Sequence, residues 1–384
     1  MKKIGIITIL KCNNFGAELQ AYATQKKLQQ MGYDAEIIDY LYYKHPGFKF
    51  TRQAKPVWKR SFKTDIIDYI KYQIVGKMLN VIGVVFIKKQ RILNEKFNDF
   101  HLKNTKLSRT YNSIEELYAS KMNYDVYMVG SDQVWNPGTG ANLSPYFLTF
   151  APKEAKKVAY ASSFGVASIP ETLKETYKDW INNIDSLSVR EDAGVHIIEQ
   201  LTGRKSMVVL DPTLLLTKEE WRQLFAKPGY EKGYVLIYET YRSAKLLQMA
   251  YHFARTHHVP IYRIQTRAIL NKKDEGVVNL EDCGPEDFVR LIANAGLVLT
   301  GSFHGTAFSV NMGVPFYSIL LKERKNNSRI TSLLSKLELE DRIVYEDDPF
   351  ECIHWDNYNV SRTSKFLMIE RNKSLKYLKD AIDA

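Results

Sequence analysis

The sequence predicts an α/β protein built from two Rossmann-like halves that face a cleft. Short apolar runs alternate with amphipathic segments along most of the chain, and this alternation stops at Asp211–Thr213 and then restarts. The 384 residues also exceed one ordinary domain, since domains usually contain about 100–200 residues. We therefore expect one domain at residues 1–216 and a second at residues 217–384, with the last helix packing back on the first domain.

In the first half, apolar runs of four to six residues predict parallel strands, and apolar residues spaced three or four apart predict the helices between them. The predicted strands are Lys3–Thr8, Ala35–Tyr40, Asp125–Gly130, Lys157–Ser162, Ser186–Arg190 and Met207–Leu210, and the predicted helices are Ala17–Met31, Glu171–Asn183 and Asp192–Leu201. In such a sheet, ligand-binding loops follow the carboxyl ends of the strands.

The second half repeats the pattern after a connection that contains a short helix. Its predicted strands are Tyr234–Tyr238, Ile261–Ile264, Gly276–Leu280, Leu297–Thr300 and Pro315–Ile319, and its predicted helices are Ser243–His257, Pro285–Asn294, Thr306–Met312, Ser328–Leu337 and Ser361–Asp383. Domain two is therefore expected to bind ligands at the same edge of its sheet as domain one.

A basic segment interrupts the first half. Residues 44–106 hold 15 Lys and Arg residues against four acids, which accounts for the whole net charge of +11. Because the excess is local, it does not indicate a nucleic-acid partner. We interpret residues 55–107 as a basic helical insertion, either bound to an anionic membrane surface or solvated against domain one.

The N-terminus and the cysteines predict a cytoplasmic protein, peripheral on the inner face of the membrane if the insertion binds lipid. Lys11, Asn13 and Asn14 interrupt the first apolar run, which argues against a signal peptide. The cysteines at 12, 283 and 352 lack the spacing of a disulfide framework or a metal site. We therefore expect no metal site and, because the G-x-G-x-x-G pattern is absent, no NAD or FAD cofactor.

The turn around His304 is the strongest candidate for chemistry. An apolar strand ends at Thr300, Gly301 and Gly305 permit a tight turn, and a helical pattern follows. The N–H groups that begin a helix form a site for anions, and a histidine there can also exchange protons near neutral pH. The alternative is that Ser302 and His304 only cap the helix.

Polar loops follow strands of the first half as well. The run Lys11–Gly16 follows the first strand, and Ser131–Pro137 combines hydroxyl, carboxylate, amide and indole groups that suit a sugar. Arg190 ends another predicted strand, where it is expected either to clamp an anion or to pair with Glu191 or Asp192. Neither the dinucleotide-binding glycine pattern nor a Walker A motif is present.

Six motifs in this order resemble the polysaccharide pyruvyl transferase family. They are NNFGAELQAYA (Asn13–Ala23), VGSDQVWNP (Val129–Pro137), YASSFG (Tyr160–Gly165), SVRE (Ser188–Glu191), DPTLLL (Asp211–Leu216) and GSFHGTAFSVNMGVPF (Gly301–Phe316). The resemblance implies a fold similar to GT-B glycosyltransferases. It also implies transfer of pyruvate from phosphoenolpyruvate to two hydroxyls of a sugar, as a cyclic ketal on a surface polysaccharide or lipid-linked precursor.

The resemblance, together with the local patterns, assigns site residues. We expect His304 and Asp132 to be catalytic. Donor binding is assigned to Arg190, Ser302, Gly305, Thr306, Lys322, Arg324 and Arg329, and acceptor binding to Asn13, Asn14, Gly16, Ser131, Gln133, Trp135 and Ser163. One position departs from the family, which often has Arg-Leu-His where this chain has Ser302-Phe303-His304. Its donor-binding arginine is thus missing, and Arg190 or the basic run 322–329 is expected to replace its charge.

Two other functions remain open at the level of sequence. One is a glycosyltransferase of the same fold that uses a nucleotide-sugar donor. The other is a non-catalytic, membrane-associated protein that binds glycans.

Overall fold

The computed structural model describes residues 1–56, 78, 88–225, 233–265, 273–324, 327–353 and 358–384. Its chain forms two compact units. Unit 1 contains residues 1–212 and 376–384, and unit 2 contains residues 213–375.

Unit 1 is built on a four-stranded parallel sheet in the order β2-β1-β3-β4. Its strands are β1 (Lys3–Ile7), β2 (Asp34–Ile37), β3 (Val126–Val129) and β4 (Lys156–Ala159), followed by a small parallel pair, β5 (Ser188–Val189) and β6 (Met207–Val208). Its helices are α1 (Phe15–Gln30), α2 (Lys88–Asn104), α3 (Ile114–Tyr118), α4 (Lys174–Asn182) and α5 (Asp192–Thr202). β1 lies between β2 and β3, so the strand order reverses direction beside it.

The strands of unit 1 form because they are apolar on both faces. Every residue of β3 is buried, as are four of the five residues of β1, which is typical of parallel strands covered by helices on both sides. Asn14 begins α1 by accepting a hydrogen bond from the Ala17 N–H at 3.2 Å. The loops after β1 and β3 are therefore held on a rigid sheet.

Unit 2 contains a six-stranded parallel sheet in the order β12-β11-β10-β7-β8-β9. Its strands are β7 (Val235–Tyr238), β8 (Ile261–Ile264), β9 (Val277–Leu280), β10 (Leu297–Thr300), β11 (Phe316–Leu320) and β12 (Ile343–Tyr345). Its helices are α6 (Lys218–Arg222), α7 (Ala244–His257), α8 (Pro285–Asn294), α9 (Phe303–Met312), α10 (Ser328–Lys336) and most of α11 (Val360–Asp383). The order is that of a doubly wound sheet, with the reversal between β7 and β10. The prediction of two Rossmann-like α/β halves is confirmed.

Several predicted boundaries were wrong. The predicted strand Lys157–Ser162 ends at Ala159, because Ala161 has a φ of 53°, outside the extended region. Helix α9 begins at Phe303, not at Thr306, because the Thr306 N–H already bonds the Ser302 carbonyl at 3.0 Å. Strand β12 was not predicted, and its three residues are too short to show a pattern.

The basic insertion lies largely outside the described residues. Its last helix, α2, belongs to unit 1 and buries Leu93, Phe97 and Phe100. The predicted membrane contact of residues 55–107 stays a prediction, and residues 57–77 and 79–87 lie outside the described residues. Within the described ranges, no helix combines the length and hydrophobicity needed to cross a bilayer.

Candidate active site

Both sheets carry polar loops where their strand order reverses. In unit 1 these loops follow β1 and β3, and in unit 2 they follow β7 and β10. Ligands of doubly wound proteins bind at such reversal points, beyond the carboxyl ends of the strands. The sequence-predicted residues Asn13, Asp132 and His304 all lie in or next to these loops.

Backbone strain is concentrated at this edge of unit 1. Lys11, Asn13, Asp132 and Ala161 have φ angles of 53°, 51°, 74° and 53°, and all four lie in the loops that follow β1, β3 and β4. For residues other than glycine, this conformation costs about 1–3 kcal/mol each, and it is often found at functional sites. The residues of unit 1 with positive φ other than glycine thus lie mainly in these three loops.

A buried arginine organises the loop after β3. The guanidinium of Arg190 contacts Asp211 at 2.8 Å, Asp132 at 3.1 Å and Glu191 at 3.9 Å. Desolvation lowers the pKa of Arg190, but the three carboxylates outweigh this effect and raise it above its ordinary value. We call these four residues the Arg190 cluster. The ion pairing considered for Arg190 is present, with Glu191 and two further acids as partners.

Two predicted acceptor residues support the Arg190 cluster from inside. The Ser131 hydroxyl donates to Asp211 Oδ2 at 2.8 Å, and the Ser163 hydroxyl donates to Glu191 Oε1 at 2.8 Å. Both serine side chains are fully buried, so they hold the carboxylates and are not exposed to a sugar. Asp132 differs, because 15% of its side chain is exposed while those of Asp211 and Glu191 are at 0%.

The structure corrects the interpretation of Trp135. Its side chain is 0% exposed, stacks on Phe147 with ring centroids 5.0 Å apart, and donates from Nε1 to the Tyr146 carbonyl at 2.9 Å. A fully covered indole offers no face to a sugar, so Trp135 belongs to the core. Its neighbour Gln133 is partly exposed and accepts from the Asn136 amide at 2.7 Å.

The loop after β1 carries the remaining acceptor candidates. Asn13 and Asn14 are exposed, whereas Gly16 is buried in the first turn of α1. The Asn13 amide donates to Asn94 of α2 at 2.8 Å. Lys11 pairs with the buried Asp39 at 2.6 Å, so its charge is neutralised within unit 1.

In unit 2, His304 lies in the first turn of α9, directly after the central strand β10. The Ser302 N–H donates to the Thr300 hydroxyl at 3.0 Å, and the Thr300 hydroxyl donates to the Tyr238 carbonyl at 2.6 Å. These bonds attach the turn to β7 and β10. Ser302 occupies the N-cap position of α9, but its side chain makes no capping bond to the helix. Burial raises the pKa of Tyr238 to about 12, although a hydrogen bond from Ser302 opposes the shift.

Gly305 and Thr306 have structural contacts of their own. A Cβ at Gly305 would lie 2.4 Å from the Thr300 hydroxyl oxygen, so the glycine is required where α9 packs on β10. The Thr306 hydroxyl is fully buried and lies 3.1 Å from the Ser302 carbonyl and 2.7 Å from the Ser318 hydroxyl. The side chain of Thr306 is therefore internal, and Gly305 and Thr306 are left with main-chain groups alone to contact phosphoenolpyruvate.

The predicted cations of unit 2 have different partners. Lys322 pairs with Asp347 at 2.8 Å, and Arg329 lies over the Phe303 ring at 5.9 Å. The Arg324 guanidinium lies over the Tyr241 ring at 4.0 Å, and within the described part of the chain it has no carboxylate partner. Tyr241 reaches the turn itself, because a Cβ at Gly301 would lie 2.9 Å from its ring.

A second ion network lies at the ends of β7 and β8. Arg263 contacts Glu239 at 3.3 Å and Asp274 at 2.7 Å, and Arg242 also contacts Asp274 at 2.6 Å. Burial raises the pKa of Glu239, and the two arginines counteract this only in part. This network was not predicted, since its residues are spread over 36 positions with no shared motif.

A sequence model of the family described as polysaccharide pyruvyl transferase matches residues 14–322, well over half of the chain. The chain belongs to the polysaccharide pyruvyl transferase family. The resemblance seen in the ordered motifs is thereby confirmed, and the protein is a transferase of polysaccharide biosynthesis with a sugar acceptor. Both His304 and Ser302 lie within the matched residues. No curated protein matches the chain.

Several solved structures are distantly similar to this pyruvyl transferase family member. UDP-N-acetylglucosamine 2-epimerase from Rickettsia bellii shares 10% identity at a TM-score of 0.49, covering 100% of this chain and 97% of that chain. UDP-GlcNAc 2-epimerase from Methanocaldococcus jannaschii shares 12% identity at 0.48, covering 96% and 93%. The N-terminal domain of trehalose-6-phosphate phosphatase from Candida albicans shares 11% at 0.49, covering 99% and 96%. At these scores the similarities support no conclusion about its activity.

Sequence analysis missed residues whose contacts are with residues far away in the sequence. Asp211 stood in a quoted motif without a role, although its position directly after a predicted strand could have indicated one. Glu18 and His101 gave no local signal, since 83 positions separate them.

Proposed function

We propose that this chain transfers pyruvate from phosphoenolpyruvate to two hydroxyls of one sugar, forming a cyclic ketal on a surface polysaccharide or lipid-linked precursor. The observation that supports this most strongly is the place of His304, in the first turn of a helix that follows a central strand. In a member of the pyruvyl transferase family, this position combines a site for an anion with a group that moves protons.

Unit 2 is proposed to bind the donor. Phosphoenolpyruvate carries a phosphate and a carboxylate, so it requires at least two contacts with cations or N–H groups. The N–H groups of the first turn of α9 suit one anionic group. Arg324 suits the other, because stacking on Tyr241 orients its guanidinium and leaves the N–H edges available.

The proposed chemistry begins with protonation of the donor's methylene carbon. The C2 carbon then accepts an oxygen from one sugar hydroxyl, whose proton is released, and the C–O bond to phosphate breaks. The second hydroxyl attacks C2 and loses its proton, which closes the ketal. The methyl group thus keeps one proton, and the other leaves with inorganic phosphate. His304 is proposed to deliver or accept one of these protons.

Unit 1 is proposed to bind the acceptor. Asp132 is the partly exposed carboxylate of the Arg190 cluster, so it is the one that can accept a hydrogen bond from a sugar hydroxyl. Arg190 fixes the orientation of Asp132. Asn13 and Gln133 are further candidates for the acceptor, because they lie in the loops after β1 and β3 and are exposed and partly exposed, respectively.

The proposal is tested by incubating the protein with phosphoenolpyruvate and a panel of p-nitrophenyl hexosides. We expect release of inorganic phosphate together with a new ketal methyl signal in the proton NMR spectrum. Thermal stabilisation is measured in parallel with phosphoenolpyruvate and with UDP-GlcNAc. Stabilisation by UDP-GlcNAc alone, with no phosphate release, would refute the assignment of the donor.

A further inference from the structure

The structure contains a buried acid and histidine beneath the loop after β1. Glu18 lies in the first turn of α1 and His101 lies near the end of α2, and both side chains are almost completely inaccessible. Their Oε2 and Nε2 atoms are 2.7 Å apart. A carboxylate in such a place requires hydrogen-bond donors to offset its lost hydration.

Glu18 bonds the loop itself. Its Oε1 accepts the Cys12 N–H at 2.9 Å, and its Oε2 accepts the Lys11 N–H at 3.2 Å. Lys11 is one of the strained residues of this loop, as is Asn13, two positions further along the chain. Such backbone conformations persist only where surrounding contacts hold them, and Glu18 supplies two of these contacts.

Helix α2 meets the loop and the start of α1 along one stripe. Asn94, Phe97 and His101 are spaced i, i+3 and i+7, which places them on the same face of the helix. Asn94 accepts the bond from Asn13, the Phe97 ring lies 5.3 Å from the Phe15 ring, and His101 contacts Glu18.

The end of α2 is fixed to α1 as well. The Gln25 side chain accepts the Lys106 N–H at 2.9 Å and donates to the Lys106 carbonyl at 2.7 Å. The stripe is therefore anchored at its C-terminal end by a second, independent pair of bonds.

We infer that Glu18 and His101 are positioning residues for the acceptor, and that α2, the last helix of the basic insertion, sets the conformation of the loop Lys11–Asn14. The inference rests on the proposed function for the acceptor role of that loop. His101 makes a single side-chain bond, from Nε2 to Glu18, and its Nδ1 has no hydrogen-bond partner among the described residues. Its contribution is thus to orient the carboxylate that holds the loop.

The test compares three variants. His101→Leu removes the N–H group that bonds Glu18 and replaces the imidazole with an apolar side chain of similar size. His101→Gln restores an N–H at a similar reach. Lys103→Ala removes an exposed pair with Asp99 from the same helix and serves as the matched control.

Hydrogen exchange at the Lys11 and Cys12 amides reports on the loop without any substrate. Exchange of these two amides is expected to be about tenfold faster or more in His101→Leu. Glu18 then loses its bond to His101 and no longer holds the Lys11 and Cys12 N–H groups firmly. Exchange should return close to the original rate in His101→Gln and stay unchanged in Lys103→Ala. Unchanged exchange in a folded His101→Leu protein would overturn the inference.

Kinetics with the p-nitrophenyl glycoside that supports phosphate release provide the second measurement. The KM for this glycoside should rise in His101→Leu by about tenfold, while the KM for phosphoenolpyruvate stays constant. Faster loop exchange with an unaltered glycoside KM would overturn the acceptor role. If the original protein releases no phosphate with any glycoside, the proposed function fails, and the exchange measurement still decides whether His101 holds the loop.

Discussion

The two units differ in the surroundings of an arginine near the carboxyl edge of each sheet. In unit 1, the guanidinium of Arg190 is buried among three carboxylates of the protein. In unit 2, Arg324 lies on an aromatic ring, and the described residues offer it no carboxylate. Arginine is therefore a buried structural residue in unit 1, whereas in unit 2 it is the side chain that we propose to bind an anionic ligand.

This difference bears on which cation is proposed to bind the second anionic group of the donor. Both arginines were predicted to bind the donor. Burial and ion pairing make Arg190 a poor donor ligand, since its hydrogen-bonding groups are directed at Asp132 and Asp211. Lys322 is also neutralised, by Asp347. Arg324 is the candidate that the contacts favour.

The largest effect is expected for His304→Ala, which tests whether the chemistry depends on unit 2. We expect kcat/KM for pyruvyl transfer to fall by about 10²–10⁴-fold, the usual contribution of a positioned acid or base. His257→Ala changes an exposed histidine of the same unit and should leave the rate unaltered. Equal rates for both variants would remove His304 from the chemistry.

The second prediction separates the two arginines by stability. Arg190→Met should lower the free energy of unfolding by about 3–5 kcal/mol, because buried carboxylates lose their partner. Arg324→Met should change it by about 0.5 kcal/mol or less. Urea unfolding measures both. Adding Asp211→Asn to Arg190→Met should recover part of the loss, and similar stabilities for the two single variants would break the comparison.

Much of this comparison could not be read from the sequence. Alternation of apolar runs predicted both sheets, and it placed His304 and Asp132 directly after strands, where the structure has them. The sequence cannot show that Trp135 is covered by Phe147, because tryptophan occurs both in buried cores and in exposed sugar-binding sites. Nor can it show where an arginine finds its partners, since Arg190, Asp132 and Asp211 meet only after the strands align.

The third prediction concerns the donor side. Arg324→Ala should raise the KM for phosphoenolpyruvate by about 10–100-fold, the usual effect of losing a bond to a charged group. Tyr241→Ala should act in the same direction by releasing the guanidinium from its ring. Lys322→Ala is the matched control, and an equal rise in that variant would argue against a specific role of Arg324.

The smallest effect concerns the pKa of the Cys12 thiol in unit 1 and the rate at which this thiol is alkylated. Burial, Glu18 and Asp132 raise the pKa of the Cys12 thiol well above its ordinary value. A smaller fraction of Cys12 is therefore present as thiolate at any pH below that raised pKa. At pH 8, iodoacetamide should react more slowly with Cys12 than with the thiol of free glutathione. Mass spectrometry of the Cys12 peptide measures the rate. Glu18→Gln should increase it, and a rate in the original protein equal to that of glutathione would contradict the assigned environment.

Calorimetric titration of phosphoenolpyruvate and UDP-GlcNAc into the original protein and Arg324→Ala tests the central claim most directly. We predict that phosphoenolpyruvate binds, that its affinity falls by about tenfold or more in the variant, and that UDP-GlcNAc gives no heat of binding. Binding of UDP-GlcNAc without phosphoenolpyruvate, or an affinity for phosphoenolpyruvate unaffected by the loss of Arg324, would contradict the account.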